Sequence, residues 1–278
     1  MQRLGSRILN KLLEYPSIGR LISSICGALE TPLLDTFQFI DKHFSHGFYQ
    51  KMWSVFIRFY GTRIVPINRA IAPGNQISPT EEILEIIRRQ PAIGLGWCYC
   101  RRRAGVPMDD PWMWGCIHIG LAQNLERLAK VKPIKSAKIE EVEALVRRAD
   151  KEGFIHQLIT APNKNYVYVI CSCDPKYCVM LKNLGHFPAT NLMESHFIAV
   201  YDARKCIHCG TCASRCWFGA CRLKNGQLVF NPTYCFGCGV CVSTCPQSAL
   251  QLHRRPTTMP RPNPSPETPF QRKKIKSS

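Results

Sequence analysis

The sequence predicts an α+β protein in three parts: a helical N-terminal region, a small α/β middle domain and a C-terminal module built on an internal repeat. Three observations predict this. Apolar and aromatic residues before position 75 fall at helical spacing. Between 76 and 200, short apolar runs alternate with amphipathic stretches. Residues 206–221 and 235–250 then carry one cysteine spacing twice, 29 residues apart.

The first part, residues 1–75, opens on Leu4, Ile8 and Leu12 with Leu9 and Leu13 as an apolar stripe, and Arg3, Arg7 and Lys11 on another face. Aromatics follow from Phe37 to Tyr60. Such a stretch either caps the protein's own core or lies on a partner or an anionic membrane surface. An acid-poor start with Arg and Ser also fits a transit peptide, but the helical pattern continues past residue 60, which argues against it.

In the middle part, residues 76–200, Ser78-Pro79-Thr80-Glu81-Glu82 places Pro and acids in a first helical turn, with the helix running to about Arg89. Ala92–Cys98 reads as a strand. Ile117–Lys130 and Ile139–Lys151 read as amphipathic helices. Phe154–Thr160 and Tyr166–Cys171 read as a hairpin around residues 161–165. The C-terminal module spans 201–253. Residues 254–278, with six prolines and the run Arg272-Lys273-Lys274-Ile275-Lys276, cannot build a core and are expected to be a disordered basic tail.

The repeat reads Cys206-x2-Cys209-x2-Cys212-x3-Cys216, then Cys235-x2-Cys238-x2-Cys241-x3-Cys245-Pro246. This spacing wraps thiolates around a cubane iron–sulfur cluster, with the fourth cysteine of each run ligating the other cluster. Two [4Fe–4S] clusters are expected, one on Cys206, Cys209, Cys212 and Cys245, the other on Cys235, Cys238, Cys241 and Cys216. Zinc sites usually separate two cysteine pairs by a longer loop, and disulfides need an oxidising compartment. The segment 202–252 resembles the bacterial-type dicluster ferredoxin. That resemblance implies two units of β-hairpin plus short helix related by a pseudo-two-fold axis, and Asn225-Gly226 is a hairpin turn signal that fits it. Trp217 stands where the family usually has the proline that Pro246 supplies in the second run. Trp217, Phe218 and Phe236 are expected near sulfur, where aromatics exclude water. Cys221, in the slot of Leu250, reads as a buried small hydrophobe.

A second set of cysteines lies in the middle: Cys98, Cys100, Cys116, Cys171, Cys173 and Cys178. If the strands ending at Cys98 and Cys171 are neighbours, these sulfurs converge, as soft-metal ligands do. The segments Trp97-Cys98-Tyr99-Cys100-Arg101, Trp114-Gly115-Cys116, Gly153-Phe154-Ile155-His156 and Ile170-Cys171-Ser172-Cys173-Asp174 resemble a family of larger cluster-binding proteins. In that family a Cys-rich region precedes a dicluster ferredoxin, and Asp174, Lys176 and Tyr177 stand where it often has Cys. Three readings stay open: a third centre, iron–sulfur or zinc; a redox-active dithiol; or unligated structural cysteines. His118 and His156 are further candidate ligands. Arg101-Arg102-Arg103 either offsets site charge, binds an anion or is solvated.

The chain has 278 residues, 16 cysteines and a formal charge of +18. Each [4Fe–4S] cluster subtracts about two charges, because its ligands are thiolates. The loaded protein then stays near about +14. It favours an acidic redox protein or oxidoreductase, or peripheral contact with an anionic membrane. Nucleic acid would also be attracted, but no reading motif is present and the basic residues are scattered. With many thiols and no visible secretory signal, a reducing cytoplasmic location is expected. The uncharged stretch Pro111–Leu125 is too short and polar to span a bilayer. Function is expected to be electron transfer. The alternatives are an electron-feeding part of an oxidoreductase, although no phosphate loop or dinucleotide fingerprint is present, and an iron–sulfur regulator that binds nucleic acid.

Overall fold

A computed structural model describes residues 75–78, 80–90, 92–119, 134–160, 167–182, 192–193 and 195–260, with single positions at 36, 39, 262, 265 and 266. The N-terminal stripe, Cys26, residues 120–130 of the expected middle helix and the basic tail from 267 lie outside these residues.

A seven-stranded sheet organises the middle of the chain. Its strands are β1 (Asn75–Ser78), β2 (Ile93–Gly96), β3 (Cys116–Ile119), β4 (Ile134–Ala137), β5 (Ile155–Thr160), β6 (Val167–Cys173) and β7 (Leu192–Met193), in the order β4-β2-β3-β6-β5-β1-β7. All pairs are antiparallel except β1 with β7. The expected helix from Ile117 instead begins as a strand, since Ile117 and Ile119 alternate with His118 across the pleat and both are buried.

Helices α1 (Thr80–Arg88) and α3 (Ile139–Lys151) cover one face. Ile83, Leu84 and Ile87 of α1 and Val142 and Val146 of α3 pack with Ile93, Leu95, Ile117, Leu158 and Ile170 of the sheet. Glu140 and Glu141 sit in the first turn of α3, and Arg148 and Lys151 in its last, each complementing the helix dipole. Arg88 Nε meets Glu143 Oε1 at 2.7 Å and ties α1 to α3. Gly153, at φ +81°, ends α3: its N–H donates to Asp150 and that of Phe154 to Ala149, the paired bonds of a Schellman stop.

The opposite face carries Cys116, Cys171 and Cys173. Cys116 pairs with Cys171, Gln157 with Cys171 and Ile155 with Cys173, so these side chains share a face by the two-residue period of the strands. The C-terminal module packs against this face through Ile155, Cys178, Leu181, Phe218, Phe236 and Val240. Arg215 reinforces the contact by donating to the carbonyls of Asp150 and Lys151 at the end of α3, 2.5 and 2.8 Å away.

The C-terminal module contains β8 (Phe197–Tyr201), α5 (Thr211–Arg215), β9 (Cys221–Lys224), β10 (Gln227–Phe230) and β11 (Leu250–Arg254). Shifted by 29 residues, β8 falls on β10 and β9 on β11. Only β9 and β10 form a local hairpin, turning at Asn225 and Gly226 with φ of 51° and 76°, the mirror-image turn that strand twist favours. Its counterpart joins the ends of the module, β8 to β11. The expected two local hairpins are thus exchanged: each ladder takes one strand from each repeat. The register agrees, since Cys221 pairs with Phe230 as Leu250 pairs with Tyr201.

Candidate metal centres

Backbone conformation places the eight ferredoxin-spaced cysteines. The left-handed residues His208, Gly210 and Gly219 recur 29 residues later as Gly237, Gly239 and Ser248. Asp202 caps the short turn Ala203–Lys205 by accepting from Arg204 N–H, and Asn231 caps Pro232–Tyr234 in the same way through Thr233. Gly237 has no alternative: a Cβ there would lie 1.9 Å from the Phe197 carbonyl oxygen, at φ +72°.

Cys206, Cys209 and Cys212 line a pocket together with Cys245. The pocket has about 350 Å³ of empty space, counting its open mouth, and His208, Gly210, Thr211, Leu228 and Leu250 complete it. The two motifs therefore cross, with three cysteines from one run facing the fourth of the other. Backbone N–H groups aim at sulfur: His208 at Cys206 (3.4 Å), Cys221 at Cys216 (3.4 Å) and Ala249 at Cys245 (3.2 Å). Such bonds favour thiolate, the form a cluster needs. In the second run, burial pushes Cys235 up to about 11 and Cys238 well above its ordinary value, so those thiols deprotonate in exchange for metal. Phe218 and Phe236 stack at 4.3 Å, and Trp217 packs with them and with Cys238, the water-excluding placement expected from sequence.

Cys221 is buried, but its surroundings are not simply apolar. Its sulfur lies beside those of Cys212, Cys216 and Cys241, which belong to both runs. That closeness holds Cys212 down to about 7 and Cys216 to about 6, and pushes Cys221 itself up. The burial read from sequence is observed, and what the sequence did not show is its closeness to sulfurs of both runs. The signal was a cysteine in the slot where the other repeat has Leu250.

The six middle cysteines come together as a closed ring. Cys98 lies beside Cys100 and Cys116, Cys116 beside Cys171, Cys171 beside Cys173, Cys173 beside Cys178, and Cys178 beside Cys100, each thiol close enough to shift its neighbours' ionisation. The strands of the two C-x-C pairs are not direct neighbours, yet the sulfurs converge. β3 lies between them, and its Cys116 links Cys98 to Cys171. After β2, Cys98 enters α2 (Tyr99–Arg103), its N–H held by the Met113 carbonyl at 2.6 Å. Cys178 ends a turn in which its own N–H reaches the Asp174 carbonyl and Lys176 N–H the Asp174 carboxylate. The next residue, Val179, opens α4 (Val179–Lys182) and donates its N–H to Cys100 sulfur at 3.5 Å. Gln157 donates to Cys178 sulfur, also at 3.5 Å. A buried Gln on an otherwise apolar strand face was its signal in the sequence.

The neighbouring thiols shift one another. Cys100 and Cys116 hold Cys98 down to about 3, Cys116 and Cys173 hold Cys171 to about 6, and Cys100 and Cys173 keep Cys178 well below its ordinary value. The intervening Cys100, Cys116 and Cys173 are pushed well up by the same neighbours and by burial. Arg101 is buried beside the ring, but its guanidinium meets Asp174 at 3.2 Å and Asp110 at 3.5 Å. Asp174 thus stands as the partner of Arg101. Arg102 lies over Trp97, 5.4 Å from the ring centroid, and Arg103 is exposed.

The two candidate histidines lie on opposite faces of the sheet. His156 pairs across the sheet with Ser172, on the helix-covered face, and its Nδ1 lies 3.0 Å from Ser172 Oγ. His118 shares the cysteine face but sits two residues along β3 from Cys116, its imidazole filling the space that the absent Cβ of Gly96 leaves. Among the described residues no group of three or more His, Cys, Asp or Glu is arranged to hold a single metal ion. Among them, too, no helix is long and apolar enough to cross a membrane.

No curated protein matches the chain. Residues 198–246 match the family model described as a 4Fe-4S dicluster domain, and the C-terminal module is accordingly a ferredoxin-type iron–sulfur domain.

Proposed function

We propose that this protein is a one-electron carrier using two [4Fe–4S] clusters, one on Cys206, Cys209, Cys212 and Cys245, the other on Cys235, Cys238, Cys241 and Cys216. The carrying observation is the pocket that Cys245 shares with the first three cysteines of the other run. The clusters supply reversible one-electron chemistry. The chain supplies thiolates, N–H groups aimed at sulfur, and the aromatic wall of Trp217, Phe218 and Phe236. The six middle cysteines serve the same function as a third metal centre. The partner is an acidic redox protein or oxidoreductase, drawn by a charge that stays near about +14 with both clusters in place. The N-terminal basic stripe adds peripheral contact with an anionic membrane on the cytoplasmic side.

The test is Cys245→Ala in protein purified anaerobically. It should remove about four irons and the signal of the cluster carried by the first run, by the crossed-ligation rule. Full iron content and unchanged resonance spectra after reduction in both Cys245→Ala and Cys216→Ala would overturn the assignment.

A further inference from the structure

We propose that the six-cysteine ring holds a polynuclear iron–sulfur centre set in series with the ferredoxin cluster that Cys238 ligates. This rests on reading the protein as an iron–sulfur electron carrier.

The ring itself carries the inference. A single tetrahedral ion uses at most four thiolates and would strand two of these six. Here the sheet register sets Cys116 against Cys171, the Val179 N–H brings Cys100 beside the turn of Cys178, and each thiol lies beside two others. An all-sulfur donor set selects iron–sulfur, zinc or copper(I), and this chain already carries an iron–sulfur domain. The outer shell is also built: Val179 N–H and the Gln157 amide donate to Cys100 and Cys178, the kind of bonds that tune a thiolate-bound centre.

Placement supplies the series. Cys178 and Cys173 belong to one apolar cluster with Phe218, Phe236, Trp217 and Cys238. Of the eight ferredoxin cysteines, Cys238 alone joins that cluster among the described residues, while Cys206, Cys212, Cys216, Cys235 and Cys241 belong to another. The ring thus abuts one ferredoxin cluster through a dry wall. The step is the transfer of one electron between the ring centre and the cluster on Cys238. One is oxidised and the other reduced by one electron, and no bond forms or breaks.

The experiment measures iron, acid-labile sulfide, zinc and copper together on full-length protein purified anaerobically, with paramagnetic resonance after dithionite reduction. Iron should exceed the eight of two cubanes, reaching about twelve if the third is also a cubane. Cys116→Ala and Cys171→Ala should each return iron to about eight, keep both ferredoxin signals and remove a magnetic broadening present in the wild type. A wild-type count of about eight irons, alone or with zinc or copper, overturns the proposal even if the variants fail to fold. Iron lost with Cys116→Ala in a protein without ferredoxin signals would sustain the ring centre and sink the two-cluster reading. Extra iron without magnetic broadening would overturn the series placement.

Discussion

The ferredoxin module gathers three cysteines of each run within seven residues, Cys206 to Cys212 and Cys235 to Cys241, whereas the middle ring draws on chain from Cys98 to Cys178. In the module, short turns with left-handed residues point the sulfurs inward, and only the fourth cysteine comes from afar. In the ring, two strands, a helical turn and the Asp174–Cys178 turn each contribute one or two sulfurs, and the sheet register aligns them. A site made of local turns is only as strong as those turns. A site made of register survives changes in any one loop but fails when its elements part.

The largest effect should come from the local site. Gly237→Ala sets a methyl group against the Phe197 carbonyl at a left-handed position. It should cost at least ~2 kcal/mol and, on the proposed reading, remove iron from the module, read by thermal unfolding and iron content, while any metal on the ring cysteines stays bound. Equal metal loss at both sites would show that the two do not fold as separable units.

The matching test of the ring is Arg101→Met. It leaves Asp110 and Asp174 without their buried partner and frees α2 from the turn that carries Cys178. A loss of about 3 kcal/mol is expected, the usual cost of half a buried ion pair. Asp174→Asn alone should cost less, since Asp110 remains. If Arg101→Met melts like wild type, the ring is held by its strands alone.

A smaller effect separates the two faces of the sheet. Burial lowers His156 to about 4 from an ordinary 6.5, against a weaker opposing pull from Asp150. The unfolded chain therefore takes up a proton below pH 6.5 that the native state refuses, and stability falls as pH falls from 6.5 toward 4. Between pH 7.5 and 5.5 the loss should be about 1.3 kcal/mol, and His156→Gln should remove it. A slope unchanged in that variant would move the titrating group elsewhere. The smallest effect is expected at Cys221→Ala. It should leave about eight irons in the module, by the ligand count, yet shift its reduction potentials, because Cys221 contacts sulfurs of both runs. Unshifted potentials in voltammetry would reduce Cys221 to packing.

Much of this was legible in the residues. The doubled cysteine spacing, the Asn225-Gly226 turn, the hairpin of β5 and β6, and helices α1 and α3 all follow from short-range pattern, since a period of two or 3.6 and a turn chemistry are local properties. The family match over residues 198–246 agrees with the doubled motif. Three things were decided only in three dimensions. Ile117 joined a strand because β2 and β6 offered open edges on either side of it, which outweighs a helical pattern. The module's strands exchanged between repeats: β8 pairs with β11 across the two ends of the module, a long-range pairing that no local turn signal marks. And the six middle cysteines became a ring because β3 was inserted between β2 and β6. Strand order is a property of the whole sheet, and no segment of sequence carries it alone.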